Sequence, residues 1–508
     1  MSDPRAARVV VIGGGFGGLA AAIRLQCAGY AVTLVEARAR LGGRASQHRE
    51  AGFTFDMGPT LITAPELLDD LWAAAGRSRA ADLPLVPLRP FYRLLFPDGS
   101  RFDYGAGPEA DEEQIARFDP RDVAGYGSFL AASERIYARA FADLAGEPFL
   151  TPGAFARVVP ELLRLGAAQS VYRFTSRHFH DPRLRAVFSF HPLFIGGNPF
   201  RASAIYGIVP YLERQQGVHF AMGGMYTLVE AMERLLCDLG AEVRCGTPVE
   251  EIIVKDGRAA GVRLADGEII PAAAVVANSD VATTYRELIP AAHRPPRTLA
   301  RLARYRYSMS CFLLYLGLNR TYPQLHHHTV LMPARYREHI HAIFDGHGLP
   351  DDLALYMHTP TRTDPTMAPP GCESLYALAP VPHLGRGIDW NHAGDVLRAR
   401  IIQALEEQVG LDDLESSIVV ERRFTPVDFA TDLRSHLGAA FSIEPTLLQS
   451  AYFRPHNRSR DLPGLYLVGA GTHPGAGLPG VLLSAKITSR LVQEDLRAVR
   501  ARVYSTAV

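Results

Sequence analysis

Gly13-Gly14-Gly15-Phe16-Gly17-Gly18 can bring bare backbone against an anion, and an acid, Glu36, follows it. The chemistry this spacing allows is the binding of a dinucleotide. Gly13 permits a tight turn, Gly15 lets the backbone approach a pyrophosphate, and Gly18 allows a helix to pack closely on a strand. Phe16 and Gly17 open that helix, whose unpaired N–H groups and positive dipole end face the phosphates. Glu36, with Ala37 and Arg38 behind it, can accept hydrogen bonds from ribose hydroxyls and disfavours a 2′-phosphate. The same chain shows no serine triad, cysteine nucleophile or metal-ligand cluster.

The elements that must position these residues are readable around them. Arg8-Val9-Val10-Val11-Ile12 has the β-branched composition of a buried parallel strand. Leu19 to Leu25 is rich in helix formers, and Ala31 to Val35 predicts a second strand ending at Glu36. Strand, glycine turn, helix, strand and acid in one βαβ unit form the context that a bare glycine pattern lacks.

Two further glycine segments extend the site. Leu41-Gly42-Gly43-Arg44 offers a second backbone approach to a pyrophosphate and a cation for its charge. Phe53 to Thr60 follows, with Asp56, Gly58, Pro59 and Thr60. Near the other end, Gly464 to Gly471 reads as a strand running into glycines. A loop, Thr472 to Gly480, and a helix, Val481 to Leu491, come next. That helix start is expected to face the bound dinucleotide, where N–H groups stabilise negative charge. Between the two ends, Gly223-Gly224-Met225 opens a helix to Leu239. Val249 to Val254 begins a strand with hairpin signals at Asp256-Gly257 and Asp266-Gly267, and Ala274 to Asn278 returns the chain to the cofactor.

The order of fingerprint, acid, G-G-R and D-x-G-P resembles the flavin amine oxidase and phytoene desaturase superfamily. The resemblance narrows to the bacterial carotenoid-type phytoene desaturases and covers essentially the whole chain. Its matching segments include Pro90 to Leu94, Phe118 to Val123, Phe188 to His191, Gly196 to Phe200, Leu378 to His383, Phe424 to Phe429 and Phe453 to Arg458. It implies FAD as the only cofactor. The residues holding it would be those of the first two glycine segments, Glu36 to Arg38, Gly58 to Thr60, Val249 with a backbone amide on the adenine, Gly469, Ala470, Gly471, Gly480 and Val481. It also implies conversion of 15-cis-phytoene in a membrane to lycopene or a neighbouring carotene, by hydride transfers to flavin N5. One departure from the wider superfamily stands out: the Gly469-Ala470-Gly471 turn carries no carboxylate. Three other readings share the fold: a different flavin oxidase, a carotenoid isomerase, and a prenyl-lipid-binding protein without catalysis.

The expected architecture is α/β: a Rossmann-like, three-layer FAD-binding domain with a parallel sheet, built from residues 1–90, 221–290 and 460–508. An α+β substrate domain takes 91–130 and 291–459, and an apolar helical region, 131–220, meets substrate and membrane. Its Phe141, Leu144, Phe149, Leu150, Phe155, Val158, Val159, Leu162, Leu163, Leu165, Val171, Tyr172, Phe174 and Phe179 read either as tunnel wall or as helical core. Arg157 stands among them with three readings open: a contact to reduced flavin, a lipid-headgroup contact, or an ordinary surface arginine. Otherwise the flavin itself is the catalyst. His191 and Asp56 are each either a proton acceptor or a hydrogen-bonded structural residue. His326-His327-His328 is expected to be a loop rather than a metal site, since three consecutive residues cannot converge on one ion.

Composition sets the outer limits. At 508 residues the chain exceeds one compact core. Its 53 basic and 53 acidic residues leave no excess charge for nucleic acid and leave a homo-oligomer open. Five scattered cysteines without a C-x-x-C pair read as reduced core thiols of a cytoplasmic protein. An apolar strand starting almost at once leaves no place for a secretory signal. The apolar run 186–200 is interrupted by prolines and glycines and falls short of the roughly 20 residues of a membrane span. With the membrane substrate that the resemblance implies, the location expected is peripheral, on the inner face of the cell membrane. No second dinucleotide unit is visible for NAD, which leaves quinone or oxygen as re-oxidant.

Overall fold

A computed structural model describes residues 7–506, so the outermost ends of the expected cofactor domain, 1–6 and 507–508, lie outside the described residues. The chain begins with the strand Arg8–Ile12, whose Val9, Val10 and Val11 are fully buried on both faces. Burial on both faces selects the continuous β-branched run. Around it forms a five-stranded parallel sheet, in the spatial order Leu465–Leu467, Ala274–Ala277, Arg8–Ile12, Ala31–Val35, Glu242–Arg244. Strands from both ends and the middle of the chain are therefore neighbours.

One face of this sheet is covered by three helices, Phe16–Cys27, Tyr226–Asp238 and Leu478–Thr506. They share one core, with Leu19 and Ile23 against Leu228, Met232, Ala485 and Leu491. The other face carries an antiparallel meander, Val249–Lys255, Arg258–Leu264 and Ile269–Pro271, whose Ile252 and Val262 pack beneath Val10 and Val275. These are the three layers. The last helix is far longer than the segment 481–491 expected for it, because its apolar face keeps meeting the core through Leu496.

A second, seven-stranded sheet runs Ile418–Phe424, Ser310–Leu318, Glu373–Val381, Leu355–His358, His328–Leu331, Tyr92–Leu95, Arg101–Tyr104. Alternation assigns the strand Ser310–Leu318 two jobs. Leu314, Leu316 and Leu318 pack with the helix Trp390–Glu407, while Leu313 and Tyr315 pack with Phe53 and Phe55 of the cofactor side. Helices of residues 122–216 close the remaining side. The helix Asp122–Ile136 widens to π geometry over Tyr137–Asp143, and Pro152–Arg164 lies on the surface with no buried residue. No described helix is long and apolar enough to cross a membrane.

Two sequence expectations need correction. Of the cysteines, only Cys311 is buried, and Cys237 is exposed on a helix that needs only one apolar stripe. The three histidines are not all loop: His328 opens a strand and pairs in register with His358. Nitrogens of His327, His328 and His358 come within 4.8 Å of one another in the interior. His327 Nδ1 meets Thr363 Oγ1 at 2.6 Å, and His328 Nδ1 meets Tyr356 Oη at 2.7 Å. Burial lowers the pKa of all three, that of His327 from 6.5 to about 3. In the unfolded chain these imidazoles take up protons below about pH 6.5, but the folded state excludes the proton until far lower, so stability is lost as pH falls through that window. Urea midpoints are expected to drop steeply between pH 7 and 5. His327→Gln should flatten that slope measurably.

Candidate active site

The glycine loops meet backbone to backbone. Gly13 adopts φ +92° and Gly42 φ +114°, conformations that side chains other than glycine rarely accept. The Gly42 N–H donates to Gly14 O at 2.9 Å. A Cβ on Gly18 would lie 2.0 Å from Gly13 O, and one on Gly58 would lie 2.1 Å from Arg44 O. The first helix therefore presses against its own strand, and the D-x-G-P segment presses against the G-G-R segment. Glu36 is buried, its Oε2 accepting from Gly14 N at 2.7 Å and its Oε1 from Arg38 N at 2.9 Å.

Asp56 holds this stack without facing the cavity. It accepts from Met225 N at 2.8 Å, and Gly224 (φ +96°) leaves room for its carboxylate. Burial raises its pKa to about 7. That geometry is the structural alternative for Asp56, a clasp between the 56–60 segment and the helix Tyr226–Asp238.

The loops open onto a cavity of about 660 Å³. Its wall contains Gly13, Gly15, Phe16, Gly17, Glu36, Ala37, Arg38, Gly42, Gly43, Arg44, Gly58, Pro59, Thr60, Val249, Gly469, Ala470, Gly480 and Val481. Gly18 and Gly471 lie behind it: a Cβ on Gly471 would meet Ser442 Oγ and Val281. The N-terminus of the helix Leu478–Thr506 is at the wall, as is that of Phe16–Cys27. Arg44 is enclosed, donates to Ser435 Oγ at 2.8 Å and keeps its Nε without a partner. Burial lowers its pKa, opposed by Asp280. An enclosed cation with an open N–H beside two helix N-termini and bare glycine backbone fits a dinucleotide pyrophosphate.

The arrangement also uses residues that the motifs did not reveal. Asn278 stands at the C-terminal end of the strand Ala274–Ala277, where ligands of open α/β sheets bind, and donates to Gly13 O at 3.3 Å. Asp280, two residues on, lines the cavity and is a carboxylate that the Gly469-Ala470-Gly471 turn lacks. The C-terminal loop is tied down by two buried residues. Arg454 donates to Ala470 O at 2.7 Å and Ile443 O at 3.0 Å, and Asn457 donates to His473 O at 3.0 Å.

Beyond the loops the cavity becomes apolar. Ala140 and Phe141 reach it from the π-widened turn, with Leu144, Phe149, Phe155, Leu162, Phe194 and Leu313. Val171, Phe174 and Phe179, from the same helical region, are buried core instead. Arg157 is exposed, lies off the cavity wall and has no ion pair among the described residues. His191 lies on the wall, together with Glu213.

A parallel sheet with glycine loops at its strand ends, opening into an apolar chamber, defines a flavin-dependent oxidoreductase. Comparison with known proteins agrees. Residues 16–493 match the family model "Flavin containing amine oxidoreductase". A lycopene-forming phytoene desaturase of Pseudescherichia vulneris is 50% identical over 96% of this chain and 100% of its own. One from a Paracoccus species is 46% identical over 97% of this chain and 99% of its own. A solved putrescine oxidase has the same fold, with TM-score 0.62 and 16% identity over 96% of this chain and 99% of that one. The chain belongs to the flavin containing amine oxidoreductases and, within them, to the phytoene desaturase family. FAD is its cofactor.

Two expected outcomes follow from the loop geometry. Gly18→Ala forces helix and strand apart at a cost of about 1–3 kcal/mol, and should lower the flavin-to-protein absorbance ratio several-fold. Asp56 keeps its proton in the folded state up to about pH 7, whereas the unfolded chain releases it near 3.8. Stability is therefore lost as pH rises through that window, by about 4 kcal/mol in all. Asp56→Asn should gain on the wild type in chemical unfolding as pH is raised from 4 to 7.

Proposed function

We propose that this chain desaturates 15-cis-phytoene taken from a membrane, forming lycopene or a neighbouring carotene, with quinone or oxygen as the final electron acceptor. One observation carries the reading: the dinucleotide loops and a long apolar chamber are parts of a single cavity. The lycopene-forming relatives, matched over nearly the full length, supply the substrate class.

In this reading the chain divides by role. Residues 1–90, 221–290 and 460–508 hold FAD, 91–130 and 291–459 form one side of the substrate site, and 131–220 form the other and meet the lipid. Bound FAD supplies a two-electron, hydride-accepting centre, which an unactivated CH₂–CH₂ unit requires. The glycine loops, with Arg44 and the two helix N-termini, hold its pyrophosphate, and Glu36 and Val249 serve the adenosine end. Phe141, Leu144, Phe155, Leu162 and Leu313 line up the hydrocarbon and exclude water, so that orientation supplies much of the rate.

Entry of the substrate falls to a surface beside Phe155. On the helix Pro152–Arg164, Phe155 and Leu162 line the cavity while Leu163 is 53% exposed. Phe155 packs on Tyr452 and Phe453, and Phe453, Leu447 and the 70% exposed Leu448 lie outward. An exposed apolar patch continuous with an apolar cavity suits shallow docking on one leaflet. Arg157, on the same exposed helix, then serves a lipid headgroup rather than the flavin.

The FAD-loaded protein, given liposomes containing phytoene and a quinone, should produce coloured carotene by chromatography. Colourless products alone would sink the reading. Leu448→Asp should lower liposome co-sedimentation and product formation together, by several-fold each, with flavin content unchanged.

A further inference from the structure

The apolar chamber has one buried carboxylate on its wall outside the cofactor segments, among the described residues: Glu213, on the helix Val209–Gln216. It is 1% exposed, as is His191, which lines the cavity beside it. Burying a carboxylate costs several kcal/mol unless its oxygens are satisfied, and Glu213 is satisfied on one side only. Its Oε1 accepts the hydroxyl hydrogen of Tyr92. Its Oε2 has no hydrogen-bond partner and lies 3.4 Å from His191 Nε2. Neither ring nitrogen of His191 has a partner either.

The surroundings hold these groups still without satisfying them. Tyr92 is anchored in the strand Tyr92–Leu95 and stacks on Tyr104 at 5.7 Å. Tyr104 and Phe190 lie 5.4 and 4.4 Å from His191, ring centre to ring centre. Further ionisable groups near the pair are Tyr126, Asp111 and Arg214, beyond Tyr104, and Tyr356 and His328, beyond Tyr92. Most buried polar side-chain atoms have a partner, so an open oxygen needs a reason; Asp56 also keeps one but lies off the cavity wall, whereas Glu213 lines it. Here a lone pair of Glu213 and a nitrogen of His191 stay open at the wall of a mostly apolar chamber.

We infer that Glu213 is the proton acceptor of the desaturation, oriented by Tyr92 and relayed by His191. The inference rests on the desaturase reading. A hydride, with its two electrons, leaves one allylic carbon for the bound flavin, which is the oxidant. The proton of the adjacent carbon passes to Glu213 Oε2, and the electron pair of that C–H bond closes the new double bond. The products are the longer polyene, reduced flavin and a protonated carboxyl, so atoms and charge balance. His191 Nε2, 3.4 Å away, takes the proton onward and restores the carboxylate for the next step. Between the two departures the polyene carries a delocalised positive charge, which the same carboxylate stabilises in a low-dielectric chamber.

Two measurements test this on FAD-loaded protein. The first needs no turnover: binding of N,N-dimethylhexadecylamine, a protonated stand-in for the cationic chain, against hexadecane. Glu213→Gln should weaken the amine about 30-fold or more, as loss of a buried charge partner does, and leave hexadecane unchanged. The second is anaerobic single turnover of phytoene in liposomes. Glu213→Gln should slow carotene formation roughly 100-fold, within the range of general-base effects, at unchanged flavin content and melting temperature. Glu213→Asp should restore part of the rate. Wild-type rate in Glu213→Gln overturns the inference, as does unchanged amine affinity. If Glu213→Gln does not fold, His191→Gln and Glu213→Asp decide: both at wild-type rate and amine affinity overturn it equally. A wild-type protein that makes no carotene defeats the desaturase reading instead, while the amine measurement still reports on Glu213.

Discussion

The structure depends on backbone touching backbone where three glycine segments meet. Gly18 has no side chain to hold Gly13 O away, Gly42 donates to Gly14 O, and Gly58 leaves space for Arg44 O. Side chains at these positions would fill the crevice in which a pyrophosphate must lie. Their absence leaves N–H groups and helix ends facing it, which are the cheapest source of positive potential a fold possesses. The buried clasp of Asp56 and the enclosed guanidinium of Arg454 keep the loops pressed together, from opposite ends of the chain.

This contact also explains the order of the chain. The cofactor crevice is assembled from strands near residues 8, 31, 242, 274 and 465. Everything between is free to build the second sheet and the helical wall, provided that it returns. The strand Ser310–Leu318 joins the two halves, because its alternating side chains serve the helix Trp390–Glu407 on one face and the cofactor side on the other. The apolar chamber is lined by residues of both halves.

Some of the site was legible in the sequence because the relevant physics is local. A β-branched run, a glycine turn and an acid at the next strand end are neighbours in the chain, so Gly13, Gly15 and Glu36 declare themselves. Asn278, Asp280, Glu213 and Tyr92 do not, since each is a common residue type whose role comes from what lies across the cavity. His327 and His328 offered a visible pattern, but its completion, His358, comes from the neighbouring strand. Arg157 drew attention as a charge in an apolar stretch, and its helix turned out to be on the surface, where a charge costs nothing.

The sequence by itself determined the cofactor class, the family and the three-layer arrangement around the first strand, because turn geometry and strand burial are set by residue type over short spans. Tertiary structure alone decided which apolar residues of 131–220 face the chamber and which are core. It also decided that Asp56 is a clasp and that an unpaired carboxylate and imidazole meet on the chamber wall. Those outcomes depend on contacts between Tyr92, His191 and Glu213, residues brought together only when the second sheet and the helical wall close on each other.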